Sequence, residues 1–365
     1  MAALDNIEWE ACVLEPVHNP EGERFLRGIY GRMIPPGMRY FLDAPWLPRA
    51  CAALGIEQVP LLHTSGDLSQ MIALVVSQDN SCRYCYTATR SVMRILGFPE
   101  ARIRRLEEDF LSADLEPGDR AALEFARRVS RGAPLAGSAD VKGLLDAGCH
   151  PDAVKEIAFI AADNVFFNRI STLPALPPEQ MEFADHWSTK LLRPLIARKL
   201  RGRRAGEPTW LTAAQREGPF AACVNALDGL PGAARLRGVL DDAWGESTLS
   251  RRTKALVFAV VARGISCSGS EQEACRLLEA EGMSAASIEH ILAHLSAPTL
   301  DPIDAAAIGL ARESIWFRPA QIQRQMRSIR SLFSNQQFVE LIGLAALANM
   351  LCRLGVAAAV APQQR

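Results

Sequence analysis

Two thiols three residues apart, Cys82 and Cys85 in the stretch SQDNSCRYCYTAT (77–89), are the side chains best placed to do chemistry in this chain. The thiolate is the form of cysteine that attacks disulfides and peroxides, so what matters is whatever favours loss of the proton. An apolar run, 71–76, precedes the pair, and a helix-like segment follows it to Gly97. Asn80 and Ser81 are favoured N-cap types, which predicts both thiols in the first turn of a helix and on one face of it. The unpaired N–H groups of that turn and the positive charge of Arg83 favour a thiolate. Disulfide exchange or peroxide reduction is the chemistry this predicts. Two core cysteines, or half of a four-ligand zinc site, are the alternatives. Zinc needs a second pair, and the chain contains no other C-x-x-C and no C-x-x-H.

The elements that must position the pair read as helices. Of the 365 residues, 49% are hydrophobic and 22% charged, the balance of an ordinary globular protein with room for two domains. A net charge of −1 gives no global pull toward nucleic acid or membrane. Nine cysteines, unpatterned apart from the one pair, do not resemble a secreted disulfide framework. The acidic start of the chain lacks a basic-then-apolar signal segment, and a cytoplasmic location is expected. The apolar run 338–362 carries Arg353 near its middle and reads as a core helix, not a membrane span.

Sliding the chain along itself divides it in two. A shift of 185 residues brings Cys82 onto Cys267, Gly97 onto Gly282, Ile103 onto Ile288 and Arg127 onto Arg312. The same shift brings Leu115, Pro117 and Asp119 onto Leu300, Pro302 and Asp304. A shift of 184 brings Glu156 onto Glu340 and Arg169 onto Arg353. Helices are predicted over 68–76, 82–96, 101–107, 117–129 and 151–170, and in the second half over 253–261, 271–280, 284–295, 302–314 and 335–354. Prolines at several of these starts suit a first helical turn. Strand-like alternation is almost absent, so the fold class is all-α. The expected division is an arm (1–34), a helical domain (35–188), a basic linker (189–214) and a second helical domain (215–365). The linker's Lys and Arg residues have no aromatics among them, and it reads as a solvated connection.

Residues 70–89, with the later NVFFNR stretch (164–169), are similar to the alkylhydroperoxidase AhpD-like / carboxymuconolactone decarboxylase family. Its redox members carry Glu-x(11)-Cys-x-x-Cys-x-x-x-His in an all-helical domain. The resemblance covers roughly 35–185 and, more faintly, 220–360, and implies two tandem AhpD-like domains related by internal duplication. It also implies that Cys85 attacks a peroxide and Cys82 resolves the product. The family's glutamate and histidine positions hold Gln70 and Thr89, which hydrogen-bond but do not titrate near neutral pH. The proton relay those residues provide in the family is therefore absent from its usual positions. In the second half Cys267 keeps the first thiol position, whereas Ser270, Ala255 and Ala274 fill the other three, so that half reads as degenerate and structural.

Other candidates rank lower. His63 lies in a loop seven residues before Gln70, and Cys149-His150 stands in a turn before Pro151. Asp163, Asn164 and Asn168 fall on an apolar helix, where at least one is expected to be buried and hydrogen-bonded, with Asp163 the only potential base. Arg169 and Arg353 suggest a structural ion pair used in both halves, with Asp119 and Asp304 as possible partners. His290 and His294 have metal-ligand spacing without a third ligand. The leading expectation is a thiol-dependent peroxidase or disulfide reductase, with a peroxide or other small-molecule substrate, a dithiol reductant protein and no metal or cofactor. A lactone-processing decarboxylase and a non-catalytic helical scaffold are the alternatives. The resemblance further implies a homo-oligomer.

Overall fold

The computed structural model describes Leu4 and residues 7–32, 34–55, 58–178, 193–198, 206–246, 248–316 and 318–361. Among these residues the regular structure is helical, with one isolated bridge between Thr209 and Gly229. The first half contributes α1 (Pro20–Tyr30), α2 (Trp46–Leu54), α3 (Gly66–Asp79), α4 (Arg83–Ile95), α5 (Glu100–Asp109), α6 (Pro117–Arg131), α7 (Ser138–Asp146) and α8 (Pro151–Thr172). A short helix, α9 (193–198), follows. The second half supplies α10 (Ala221–Asn225), α11 (Pro231–Gly245), α12 (Arg251–Ile265), α13 (Ser268–Ala280), α14 (Ala285–His294), α15 (Pro302–Glu313), α16 (Pro319–Ile329) and α17 (Asn335–Val360). The all-α expectation is met, and the helices read from the sequence lie within a few residues of those observed. Residues 45–54 also read as opening the first domain's helices, where α2 lies; α1, α7, α9, α10, α11 and α16 are additional to the sequence reading.

The long helices α8 and α17 pack against each other at the centre. Eighteen of the 22 residues of α8 are buried, so it has no solvent stripe and its sequence shows little helical amphipathicity. Helices α3, α4 and α6 surround it, while α12, α13, α10 and α15 surround α17. Helix α17 is the one helix among the described residues long and apolar enough to cross a membrane, with a mean hydropathy of 1.8 over its most apolar window. Inside the protein, 83% of that window is buried, which makes α17 the expected core helix.

Each central helix carries one buried glutamate that ties down the loop before the next layer. Glu156 accepts from the N–H groups of Leu62 (2.7 Å) and His63 (2.9 Å). Glu340 accepts from Leu249 N–H (2.9 Å) and pairs with Lys254 at 2.7 Å, both side chains being fully buried.

Arg169 and Arg353 do not join Asp119 or Asp304 in an ion pair. Asp304 accepts from Thr253 (2.7 Å) and pairs with Arg252 (3.0 Å), while Asp119 feels Arg102. The two arginines instead reach across the junction between the halves. Arg169 donates to the Ser314 and Ile315 carbonyls beyond α15 (2.6 and 3.2 Å), and Arg353 to the Ser130 carbonyl in the last turn of α6 (2.8 Å) and to Ile315 (3.0 Å). The last carbonyls of a helix lack intrahelical donors and carry partial negative charge, so a guanidinium satisfies them without a carboxylate.

The N-terminal arm is built into the structure. It forms α1 and, ahead of it, runs over both halves. Val13 N–H donates to the Pro174 carbonyl (3.0 Å) and Glu10 N–H to Gln323 Oε1 (3.1 Å). A domain boundary at residue 34 therefore does not separate the arm from the core. Residues 189–192 and 199–205 of the basic linker lie outside the described residues, whereas its described remainder packs on the protein and is not a purely solvated connection: Ala197 and Leu211 are buried, and Gly206 N–H donates to the Leu61 carbonyl (2.9 Å).

Candidate thiol site

The turn between α3 and α4 differs from the expected one in its details. Asn80 ends α3 instead of starting α4, Ser81 adopts a left-handed backbone (φ 49°), and Cys82 itself is the N-cap of α4. Its sulfur accepts from Cys85 N–H at 3.4 Å, the bond a cap oxygen would ordinarily accept. Only Cys85 lies within the first turn. The Asn80 side chain turns inward to donate to the Ser130 hydroxyl (2.9 Å) and accept from Arg169 (3.3 Å). Side-chain types suited to capping could not reveal that Asn80 is already engaged by the long-range network.

The two sulfurs have unlike surroundings. Cys82 is buried, with 1% exposure, whereas Cys85 is half-buried, and both are free thiols. Burial pushes the Cys82 thiol up, but hydrogen bonds from the Cys85 thiol and N–H and from Tyr84 N–H, with the Thr172 hydroxyl nearby, outweigh it and bring the group below its ordinary value. Burial and the donation to Cys82 push Cys85 well above its ordinary value, against Asn168 and Ser171. Charge therefore develops first on Cys82, with Cys85 as the protonated donor, and the two titrate as a unit. This is the reverse of the order implied by the resemblance.

The partners of the sulfurs come from α8. Ser171 Oγ lies 3.8 Å from Cys85 Sγ, Thr172 faces Cys82, and Asn168 approaches Cys85 while its amide donates to the Ser77 hydroxyl (3.3 Å). Asn168 was in view in the sequence; Ser171 and Thr172 were not, because nothing in a helical pattern marks which turn of α8 meets the start of α4. Gln70 is buried on α3, and Thr89 is buried one turn beyond Cys85 on the same face of α4.

Outside this inner layer, Arg83 donates to the Leu176 and Ala175 carbonyls (both 3.1 Å) and stacks on Trp9 of the arm, 4.5 Å from its ring centre. Tyr84 lies against Gly37, where an added Cβ would meet its hydroxyl at 2.7 Å. The arm and the 36–41 turn thus pack over the segment that carries the thiols.

The histidines stand elsewhere. His63 is exposed and stacked on His150 at 4.9 Å with Asp152 beside them, and the ligand atoms of these three lie within 4.8 Å of one another. Two imidazoles and a carboxylate suit a divalent transition metal. However, His150 Nδ1 already accepts from Asp152 N–H (3.2 Å) as the cap of α8, and the two rings meet face to face instead of edge to edge. His290 and His294 are exposed on α14. Asp163, Asn164 and Asn168 are all buried; Asn164 donates to the Ile160 carbonyl (2.8 Å), and Asp163 faces Cys51.

Comparison with family models, with curated proteins and with solved structures found no match. What the site can do follows from its geometry.

Proposed function

We propose that the chain is a thiol-dependent peroxidase in which Cys82 attacks a small hydroperoxide and Cys85 both protonates the leaving group and resolves the product. The observation that carries this reading is the convergence of the Cys85 thiol and N–H on the Cys82 sulfur. A hydrogen-bonded thiol supplies the acid that Gln70 and Thr89 cannot. The Cys82 thiolate takes the terminal peroxide oxygen to become a sulfenic acid, the O–O bond breaks, and the departing alkoxide takes the Cys85 proton. The new Cys85 thiolate then attacks the Cys82 sulfur and expels hydroxide, leaving a disulfide. Two electrons pass from the thiols to the peroxide, which ends as an alcohol and a hydroxide that takes a proton from solvent to become water. A dithiol reductant protein resets the pair. Nine unpaired thiols suit a reducing cytoplasmic setting, and a homo-oligomer is part of the same family-based proposal.

Peptide-resolved thiol mapping after one equivalent of hydrogen peroxide tests this reading. In wild type, Cys82 and Cys85 should disappear together into one disulfide. In Cys85→Ala, a dimedone-reactive sulfenic acid should collect at Cys82, formed about 100-fold more slowly for want of the acid. A sulfenic acid at Cys85 in Cys82→Ala, formed at the wild-type rate, would reverse the assigned order. Both thiols still free in wild type would sink the proposal and leave the scaffold reading.

A further inference from the structure

The second half contains a thiol pair that no C-x-x-C motif marks. Helix α12 ends as α3 does, with a left-handed serine (Ser266, φ 58°), and the next helix begins on a cysteine. Cys267 has φ −88° and ψ 83°, close to the −87° and 95° of Cys82. Its N–H reaches back to the Ala262 carbonyl at 2.9 Å, as Cys82 N–H reaches the Ser77 carbonyl. One turn on, where the first half has Cys85, stands Ser270, with Cys267 Sγ and Ser270 Oγ 3.3 Å apart.

The missing thiol is supplied by α17. The shift that brings Arg169 onto Arg353 brings Asn168, the α8 residue beside Cys85, onto Cys352. Cys352 is fully buried and its thiol donates to the Cys267 sulfur. Gly355, one turn further, leaves the space for this approach: an added Cβ there would lie 3.0 Å from Cys267 Sγ, 3.6 Å from Ser270 Oγ and 3.8 Å from Cys223 Sγ. Cys223 is half-buried at the rim and donates to the Leu351 carbonyl (3.6 Å).

We propose that Cys267 and Cys352 are a second dithiol that reacts with small hydroperoxides and closes a disulfide between the start of α13 and α17. It uses none of the residues of the Cys82–Cys85 site and stands whether or not that site is active. The Cys267 thiolate attacks the terminal peroxide oxygen, and the leaving alkoxide takes the Cys352 proton. The Cys352 thiolate then displaces hydroxide from the Cys267 sulfenic acid. The hydroperoxide is the two-electron oxidant, and the contact closes to the ~2.05 Å of an S–S bond.

The charge states suit these roles. The Cys352 thiol, together with the Ser270 hydroxyl and N–H, holds Cys267 down to about 6, against burial and the nearby Glu271. Burial, the donation to Cys267 and the neighbouring Cys267 and Cys223 push Cys352 well above its ordinary value. Attack should therefore be nearly independent of pH above neutrality and fall about tenfold per unit below 6, as the thiolate population falls.

The test uses the full chain carrying Cys82→Ser and Cys85→Ser, so that the first site cannot contribute. One equivalent of hydrogen peroxide, followed by alkylation under denaturing conditions and peptide mass analysis, should yield a Cys267–Cys352 cross-linked peptide. Fully buried Cys51, whose thiol burial also pushes up, should stay reduced. Adding Cys352→Ala should leave a dimedone-reactive sulfenic acid at Cys267. Adding Cys267→Ser, which puts a favoured cap residue at the start of α13, should abolish the cross-link with the melting temperature preserved. A Cys223–Cys267 disulfide, or two thiols still fully alkylatable after peroxide, would overturn the proposal.

Discussion

Replacing Lys254 by methionine should lower the unfolding free energy by about 3–5 kcal/mol, because it leaves the buried Glu340 carboxylate without its cation. Lys254 and Glu340 are both wholly inside the protein, 2.7 Å apart, and Lys254 also donates to the Ala243 carbonyl at 2.6 Å. Burial already pushes the Glu340 carboxyl above its ordinary value, with Lys254 and Leu249 N–H pulling the other way. Without Lys254 that rise must grow. A carboxyl whose folded pKa exceeds its unfolded value holds its proton more tightly when folded. Its contribution is therefore fully present below the unfolded pKa and lost as pH rises through the folded one. The Lys254→Met deficit should thus be smaller at pH 5 than at pH 8, read from urea midpoints followed by circular dichroism. Adding Glu340→Leu should recover most of the loss, since an apolar pair can replace a buried ion pair at little cost. A deficit under about 1 kcal/mol at pH 8 would mean that the pair adds nothing beyond packing.

Arg353→Met should be comparably damaging, by about 3–5 kcal/mol, for a different reason. The guanidinium serves the Ser130 and Ile315 carbonyls and the Asn349 side chain (2.6 Å); Ile315 keeps Arg169, but Ser130 and Asn349 lose their donor, and each buried acceptor left unsatisfied costs about 1–3 kcal/mol. Burial lowers the Arg353 pKa to about 10, which still leaves it charged at neutral pH. Arg353→Lys should recover only part of the loss, because an ammonium cannot span carbonyls that a planar fork reaches together. Ser130 belongs to the first half, and Arg169 of the first half holds Ser314 and Ile315 of the second, so the pair of arginines clasps the halves. Loss of the clasp should broaden or split the urea transition and lower its apparent slope. A single transition with an unchanged midpoint and slope would remove the clasp from the account.

Much of this was legible in the sequence because it depends on local pattern. The apolar runs, Pro117, Pro151 and Pro302 at helix starts and the lack of strand alternation were enough for an all-α chain with helices near their observed positions. That at least one of Asp163, Asn164 and Asn168 is buried followed from polar residues on an apolar helix, and the structure buries all three; α17 read as core because Arg353 is a poor fit to a bilayer centre. Helix α7 is only nine residues long, too short to display a clear helical period.

By itself, then, the amino-acid order determined which segments coil, which of them are central and that two thiols stand one turn apart at a helix start. Backbone hydrogen bonding and apolar periodicity act over a few residues, and so they can be read along a line. Three things were decided only by the tertiary structure. Cys82 and not Asn80 caps α4, because Asn80 is taken by Ser130 and Arg169. Arg169 and Arg353 hold helix-end carbonyls across the halves in place of the acids expected for them. Cys267 meets Cys352, 85 positions along the chain, because α17 crosses the start of α13 where Gly355 gives it room. Each depends on which turn of one helix faces another, and that register is set by the packing of the whole core.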